Sequence, residues 1–232
     1  MNINTEFTPF SSLFMSMTDK AKQDSLIEKK TQNIAANIPV DFKTVLSYGN
    51  SLVALGLANL GYKIYIVGEQ IFTHANISYL DKPTDKYDIV LAIDQVTTFS
   101  NSNENQKIFV EYLCSFAEKM FITTLADYKN MNKTQKNFEE PFYIKYNREE
   151  RTIISQRKWD NTDRQQWKHH YYVIDQHNNM LNFGPYIRRT MYFKQLANFL
   201  YENKALKYEV LKEPMYKGIF SKTFQNIIMA EF

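Results

Sequence analysis

FKTVLSYGNSLVALGLANLGYKIYIVGE, residues 42–69, decides the fold. Phe42 to Tyr48 is a short, mostly apolar run bounded by turn residues, which reads as a buried strand. Gly49-Asn50-Ser51 is a tight turn. Leu52 to Leu60 is dense in Leu and Ala and reads as a helix that stops at Gly61, where glycine readily takes the left-handed backbone of a helix end. Tyr62 to Val67 is a second strand, ending at Gly68-Glu69. Strand, turn, helix, glycine, strand is a βαβ unit, whose two strands must be parallel and whose crossover is right-handed.

Upstream, Met17 to Ala36 places apolar residues at Ala21, Leu26, Ile27, Ile34 and Ala35. This is an amphipathic helix, expected to end before Pro39 and to lie across the edge of the sheet. Downstream, Gln70 to Asn76 has weak helical character and Ile77 to Leu80 makes a brief strand. Asp85 to Ala92 is a buried strand whose apolar continuity calls for cover on both faces. Asn103 to Lys119 has helical periodicity with Ser102 as its cap, and Met120 to Leu125 is the next strand. Residues 128–184 break the rhythm: they are polar, aromatic and charged, with a strand-like His169 to Ile174 and a hairpin tip at Gln176-His177-Asn178-Asn179. A helix from Thr190 to Asn203 follows, then strands at Lys207 to Leu211 and Phe224 to Ala230, close enough in sequence to favour an antiparallel pair. The fold class is therefore α/β: a Rossmann-like, mostly parallel sheet with an antiparallel C-terminal strand and an inserted β-hairpin or lid.

The 232 residues, 44% hydrophobic, suit one domain comprising residues 1–232, with 1–38 as an N-terminal helical segment and 128–184 as the insertion or lid. Six Gly and six Pro, with no low-complexity tract, exclude an extensively disordered chain. Cys114 is the single cysteine, which excludes an intramolecular disulfide and a Cys-rich zinc site and fits a reducing, cytoplasmic setting. No metal site is expected. Apolar runs such as Ile89 to Ile93 are strand-length, so no membrane association is expected. Met1 to Pro9 carries Glu6 and no basic region, unlike a secretory signal. Charge divides unevenly: residues 1–127 sum to −4 and residues 128–232 to +7. The basic half also holds both Trp residues, which would suit RNA or another anion as well as a solvated basic face.

The order of elements resembles the class I S-adenosylmethionine-dependent methyltransferase fold over residues 40–127 and 186–232. Val45 to Ser51 occupies the place of that family's Gly-rich first motif, which curls beneath the cofactor's amino-acid part. Tyr48, Gly49 and Asn50 would accordingly line the cofactor S-adenosylmethionine. Glu69 lies where the family has an acidic residue for the two ribose hydroxyls, and Asp94-Gln95 where it places residues beside the methyl donor and acceptor. Ser47 stands where an acidic residue is usual, and of the family's glycine pattern Gly49 alone is present. The short span from Tyr62 to Asp88 truncates the helix and strand that wall the adenine.

Methyl transfer needs donor and acceptor aligned, sometimes with a base on the acceptor. His169 and His170 are candidate bases, of which at most one can face a pocket because neighbouring strand residues point oppositely. Asp127, Tyr128, Tyr171 and Arg188 are candidate acceptor contacts. Tyr171-Tyr172, Trp159 and Trp167 could stack on a planar acceptor or simply pack a hairpin. Arg188-Arg189 could hold a carboxylate or phosphate or form an exposed structural pair. The expectation is methyl transfer to a small molecule or RNA, with oligomeric state open. The alternatives are a non-catalytic methyltransferase-like protein that binds nucleic acid or a protein partner, and an enzyme using the fold for another adenosine-containing ligand.

Overall fold

A computed structural model describes residues 20–68, 70, 72–93, 96–98, 100–126, 142–146, 149–212 and 225–232. The first part of the chain runs α1 (Lys20–Ala35), β1 (Thr44–Tyr48), α2 (Leu52–Asn59), β2 (Lys63–Val67), β3 (Ile77–Leu80) and β4 (Tyr87–Ala92). After a short 3-10 turn at Val96–Thr98 come α3 (Asn103–Cys114) and β5 (Ala117–Ala126). Ser51 and Ser102 cap α2 and α3, their hydroxyls accepting from the amides of Val53 and Asn105 at 3.1 and 3.0 Å. Four further strands follow, β6 (Phe142–Tyr146), β7 (Glu149–Trp159), β8 (Gln166–Ile174) and β9 (Met180–Arg189), and then α4 (Phe193–Glu202), β10 (Lys207–Lys212) and β11 (Gln225–Glu231).

Seven strands form the main sheet in the order β10-β11-β5-β4-β1-β2-β3. Strands β1 to β5 pair in parallel, whereas β11 is antiparallel to both β5 and β10. The antiparallel C-terminal pair is thus present, with β11 as the reversed member. Val45 of β1 faces Ile64 on one side and Ile89 on the other. From β1 the chain first builds outward through β2 and β3, then returns to add β4 on the opposite side. A crevice opens at the carboxyl ends where the order reverses.

Both faces of this sheet are covered. Ile34 of α1 and Val53 and Leu57 of α2 bury Val45, Ile64, Ile66, Ile89 and Leu91. On the other face, Phe109 and Leu113 of α3 and Leu196 and Leu200 of α4 bury Leu46, Val90, Phe121 and Ile228. Cover on both sides is why β4 reads as an unbroken apolar run. Helix α1 packs on α2 over one face of the sheet, not across its edge. Its fully buried Ile34 needs more apolar surface than an edge strand offers, and Thr31 meets α2 at Gly56, where a Cβ would come within 2.5 Å of the threonine hydroxyl.

One further expectation is corrected and another is extended. The helix from Asn103 ends at Cys114, well before Lys119, because the Phe116 carbonyl accepts from the Tyr87 amide at 2.9 Å and Ala117 pairs with Tyr87 at the start of β5. The insertion is more than a hairpin or lid: β6 to β9 form a four-stranded antiparallel sheet that continues to Arg189. Strand β9 passes through Gly184-Pro185, which would ordinarily break a strand. Gly184 lies at φ +112°, and a Cβ there would come within 2.6 Å of the His169 carbonyl, so the irregular pairing of β8 with β9 depends on glycine.

At the amino ends of the parallel strands, the Asp88 carboxylate accepts from the amides of Lys43 and Thr44 at 2.8 and 2.9 Å and from the Thr44 hydroxyl at 2.9 Å. Its other oxygen is 3.0 Å from the Lys119 ammonium. Partial burial alone would raise the Asp88 pKa, but these donors together bring it down to about 2. A depressed folded-state pKa contributes stability that is present above the unfolded value near pH 4 and is lost as pH falls toward 2. Asp88→Asn should therefore lower unfolding free energy by about 2 kcal/mol at neutral pH. Urea titrations of both proteins from about pH 7 to pH 2 should converge in acid; a gap that persists unchanged at the acid end would refute this linkage.

Candidate functional site

The turn between β1 and α2 occupies the crevice at the carboxyl ends of the parallel strands. Gly49 adopts φ +85° and its amide donates to the Val67 carbonyl at 3.0 Å, closing the turn against the end of β2. A side chain there would be strained, although a Cβ would meet nothing within 4 Å. The buried Ser47 hydroxyl donates to the Gly49 carbonyl at 2.9 Å, so serine in place of a carboxylate ties the turn to itself. Asn50 lies against Gly68, where a Cβ would come within 3.1 Å of its Nδ2. Both its side-chain nitrogen and oxygen are buried and have no hydrogen-bond partner among the described residues. An amide buried in this state forgoes about 1–3 kcal/mol per group unless something else fills its bonds.

Tyr48 places its backbone at this turn but sends its ring toward α3, edge-on to Phe109 and Tyr112 at 5.2 and 6.4 Å between centroids. Burial and the neighbouring Tyr112 push its phenol up to about 12. Glu69, Asp94, Gln95, Asp127 and Tyr128 lie outside the described residues.

A second part of the site comes from the inserted sheet. In β8 the alternation turns Trp167, His169, Tyr171 and Val173 to a buried face and leaves His170 and Tyr172 on the other. The Tyr171 hydroxyl lies 3.1 Å from His169 Nδ1. Burial, followed by the nearby Arg188 and Arg157 guanidiniums and His170, holds the His169 pKa well below its ordinary value, so the imidazole is neutral at neutral pH. His170 stacks parallel to Tyr172 on the opposite face. Arg188, only 7% exposed, brings Nη1 to 3.5 Å from the Thr98 hydroxyl in the turn after β4. That contact brings the buried face of the inserted sheet to the carboxyl edge of the main sheet. Cys114 is buried in the core, its thiol pushed up to about 12, and is no nucleophile.

Gln106, Arg189, Thr97 and Thr98 join the two sheets, and the sequence reading did not reach this role for any of them. Gln106 is fully buried in α3; its Nε2 donates to the Arg189 carbonyl at 3.0 Å and makes longer contacts with the carbonyls of Thr97 and Thr190, both at 3.4 Å. Arg189 is a structural residue. It donates to Asn103 Oδ1 at 2.6 Å and to Gln165 Oε1 at 3.1 Å, and it forms an ion pair with Asp163. A polar residue on the inner face of α3 was the one available sign of Gln106.

Many solved structures share this architecture. The chain is similar to the CcbJ methyltransferase from Streptomyces caelestis (TM-score 0.65, 14% identity, 88% of each chain covered). It is also similar to an S-adenosylmethionine-dependent methyltransferase from Clostridium acetobutylicum (0.61, 12%, 96% of each chain). A third is DesVI from Streptomyces venezuelae (0.63, 10%, 88% of this chain and 91% of that one). The fold is that of the class I methyltransferases. No family model and no curated protein matches the sequence. Within this methyltransferase-like fold, no cluster of His, Cys, Asp and Glu among the described residues could hold a metal ion. No helix among them is long and apolar enough to cross a membrane.

Gln106→Leu keeps similar bulk but removes the buried donor and leaves backbone carbonyls unpaired. It should cost about 2–3 kcal/mol and speed hydrogen exchange at Thr190 and along α4, read by mass spectrometry. A loss under about 0.5 kcal/mol with unchanged exchange would show that this amide does not hold the two sheets together.

Proposed function

We propose that this chain is an S-adenosylmethionine-dependent methyltransferase acting on a small molecule. The observation that carries the reading is Asn50: a buried carboxamide, unpartnered among the described residues as donor and as acceptor, in a left-handed glycine turn at the point where strand order reverses. Open α/β sheets bind ligands at this place, and a cofactor with amino-acid and ribose groups offers both the donors and acceptors that Asn50 lacks. Gly49 and Asn50 would hold the cofactor's amino-acid part, Glu69 its ribose hydroxyls, and Asp94 and Gln95 the region beside the reacting groups. The cofactor supplies an electrophilic methyl group.

What the chain itself contributes is alignment. Two neighbours in fold are, by their own descriptions, methyltransferases of sugars: CalS10 is an amino pentose methyltransferase and KedS8 a sugar N-methyltransferase. A small-molecule acceptor is the corresponding reading here. Of the two histidines, His169 shares a face with Arg188 and so with the crevice, whereas His170 does not. Held neutral by burial and two arginines, His169 is a weak base and serves better to hydrogen-bond the acceptor than to strip a proton before transfer.

Calorimetric titration should show S-adenosylmethionine and S-adenosylhomocysteine binding in the micromolar range, about −8 kcal/mol, with NAD and ATP much weaker. Asn50→Ala should weaken both by roughly tenfold, the loss of one to two buried hydrogen bonds, without lowering the melting temperature. A folded sample that binds neither compound would overturn the proposal and leave the non-catalytic reading.

A further inference from the structure

Apart from the turn at Gly49 and Asn50, one largely buried face of the inserted sheet gathers two guanidiniums around an imidazole. Across three strands of the inserted sheet, directly opposed residues share a face: Arg157 stands beside His169, which stands beside Tyr186. In the adjacent row, Trp159 and Trp167 stand beside Arg188. Trp167, His169, Tyr186 and Arg188 are each at least 93% buried. Both guanidiniums act on His169 in the same direction, as positive charges lowering its affinity for a proton. Arg188 also reaches Thr98, behind the end of β4.

We propose that this face, carrying Arg157, His169 and Arg188, binds an anionic group, phosphate or carboxylate, on the methyl acceptor. A planar guanidinium presents paired N–H donors that match the oxygens of either group, and a partly dehydrated site strengthens each charge-assisted bond. The neutral imidazole and the Tyr171 hydroxyl are hydrogen-bonded to each other, which leaves one N–H or O–H of the pair to donate to the anion. The tryptophans wall the same face with apolar rings, the usual company of a few convergent polar groups in a ligand site. Placement at the carboxyl edge of β4 sets the anion beside the region assigned above to the reacting groups. The location of this surface relative to methyl transfer rests on the proposed function; its affinity for anions does not.

The full-length protein, saturated with S-adenosylhomocysteine and in low-chloride buffer, would be titrated with inorganic pyrophosphate and separately with succinate. The expected result is saturable binding of at least one of them, the preferred probe telling phosphate from carboxylate. Arg157→Gln and Arg188→Gln should each weaken it by about tenfold or more, with S-adenosylhomocysteine affinity unchanged. Lys168→Gln, on the exposed side of β8, should leave it unchanged. If Arg188→Gln does not fold, the less buried Arg157 carries the test. Failure of both probes to bind, or equal losses in all three variants, overturns the proposal. Arginine-dependent anion binding in a protein that does not bind S-adenosylhomocysteine would keep the anion site and remove methyl transfer.

Discussion

The carboxyl edge of the main sheet can be irregular because the amino edge is held by a single carboxylate. Asp88, at the start of β4, takes two amides and a hydroxyl from the segment leading into β1 and an ammonium from β5. Three adjacent strands are thereby locked in register at one end. Their other ends are then free to diverge into turns that leave the ladder, where open α/β sheets bind ligands. Gly49 at a positive φ and Asn50 with its bonds unfilled are tolerable because the strand beneath them is already fixed.

A second constraint sits between the sheets. The inserted strands could hang from the core as a loose appendage, but Gln106 and Arg189 prevent it. One is a neutral amide bridging backbone carbonyls from the turn after β4 and from the end of β9; the other is an arginine satisfied by Asn103, Gln165 and Asp163. Buried polar networks of this kind have narrow geometry, because every unmet bond costs free energy. They therefore determine the relative position of Thr98 and Arg188, two residues from opposite sheets, more tightly than apolar contact would.

How much of this was legible in the sequence follows from which forces were local. The βαβ unit at residues 42–68 read correctly because strand, cap, glycine and strand are encoded within a few residues of one another. The four-stranded form of the insertion did not. Strands such as β7, EERTIISQRKW, mix charged and apolar residues on both faces, Arg157 and Trp159 sharing one and Ile154 and Lys158 the other, and β9 contains Gly184-Pro185. Neither resembles an isolated strand until its partner is known. The seat of α1 was missed for a related reason: periodicity identifies a buried stripe without saying what buries it. Gln106 was least legible of all, since a glutamine in a helix is ordinarily solvent-exposed and its three carbonyl partners lie at positions 97, 189 and 190.

The two sides of the crevice differ in a way that fits together physically. β2 ends at Val67 and β3 begins at Ile77; β3 ends at Leu80 and β4 begins at Tyr87. Among the described residues of these connections there is no helix, so this side of the crevice is built of short turns. The other side, after β5, is enlarged by a whole sheet. A short wall cannot bury much of a ligand, and burial is what makes polar contacts strong. On the proposed reading, recognition by a dehydrated charge would come from the enlarged side, where Arg188 is buried beside the neutral His169 and aromatic rings. On that reading the turn at Gly49 and Asn50 would contribute few bonds, and the inserted sheet would supply most of the surface from which specificity can arise.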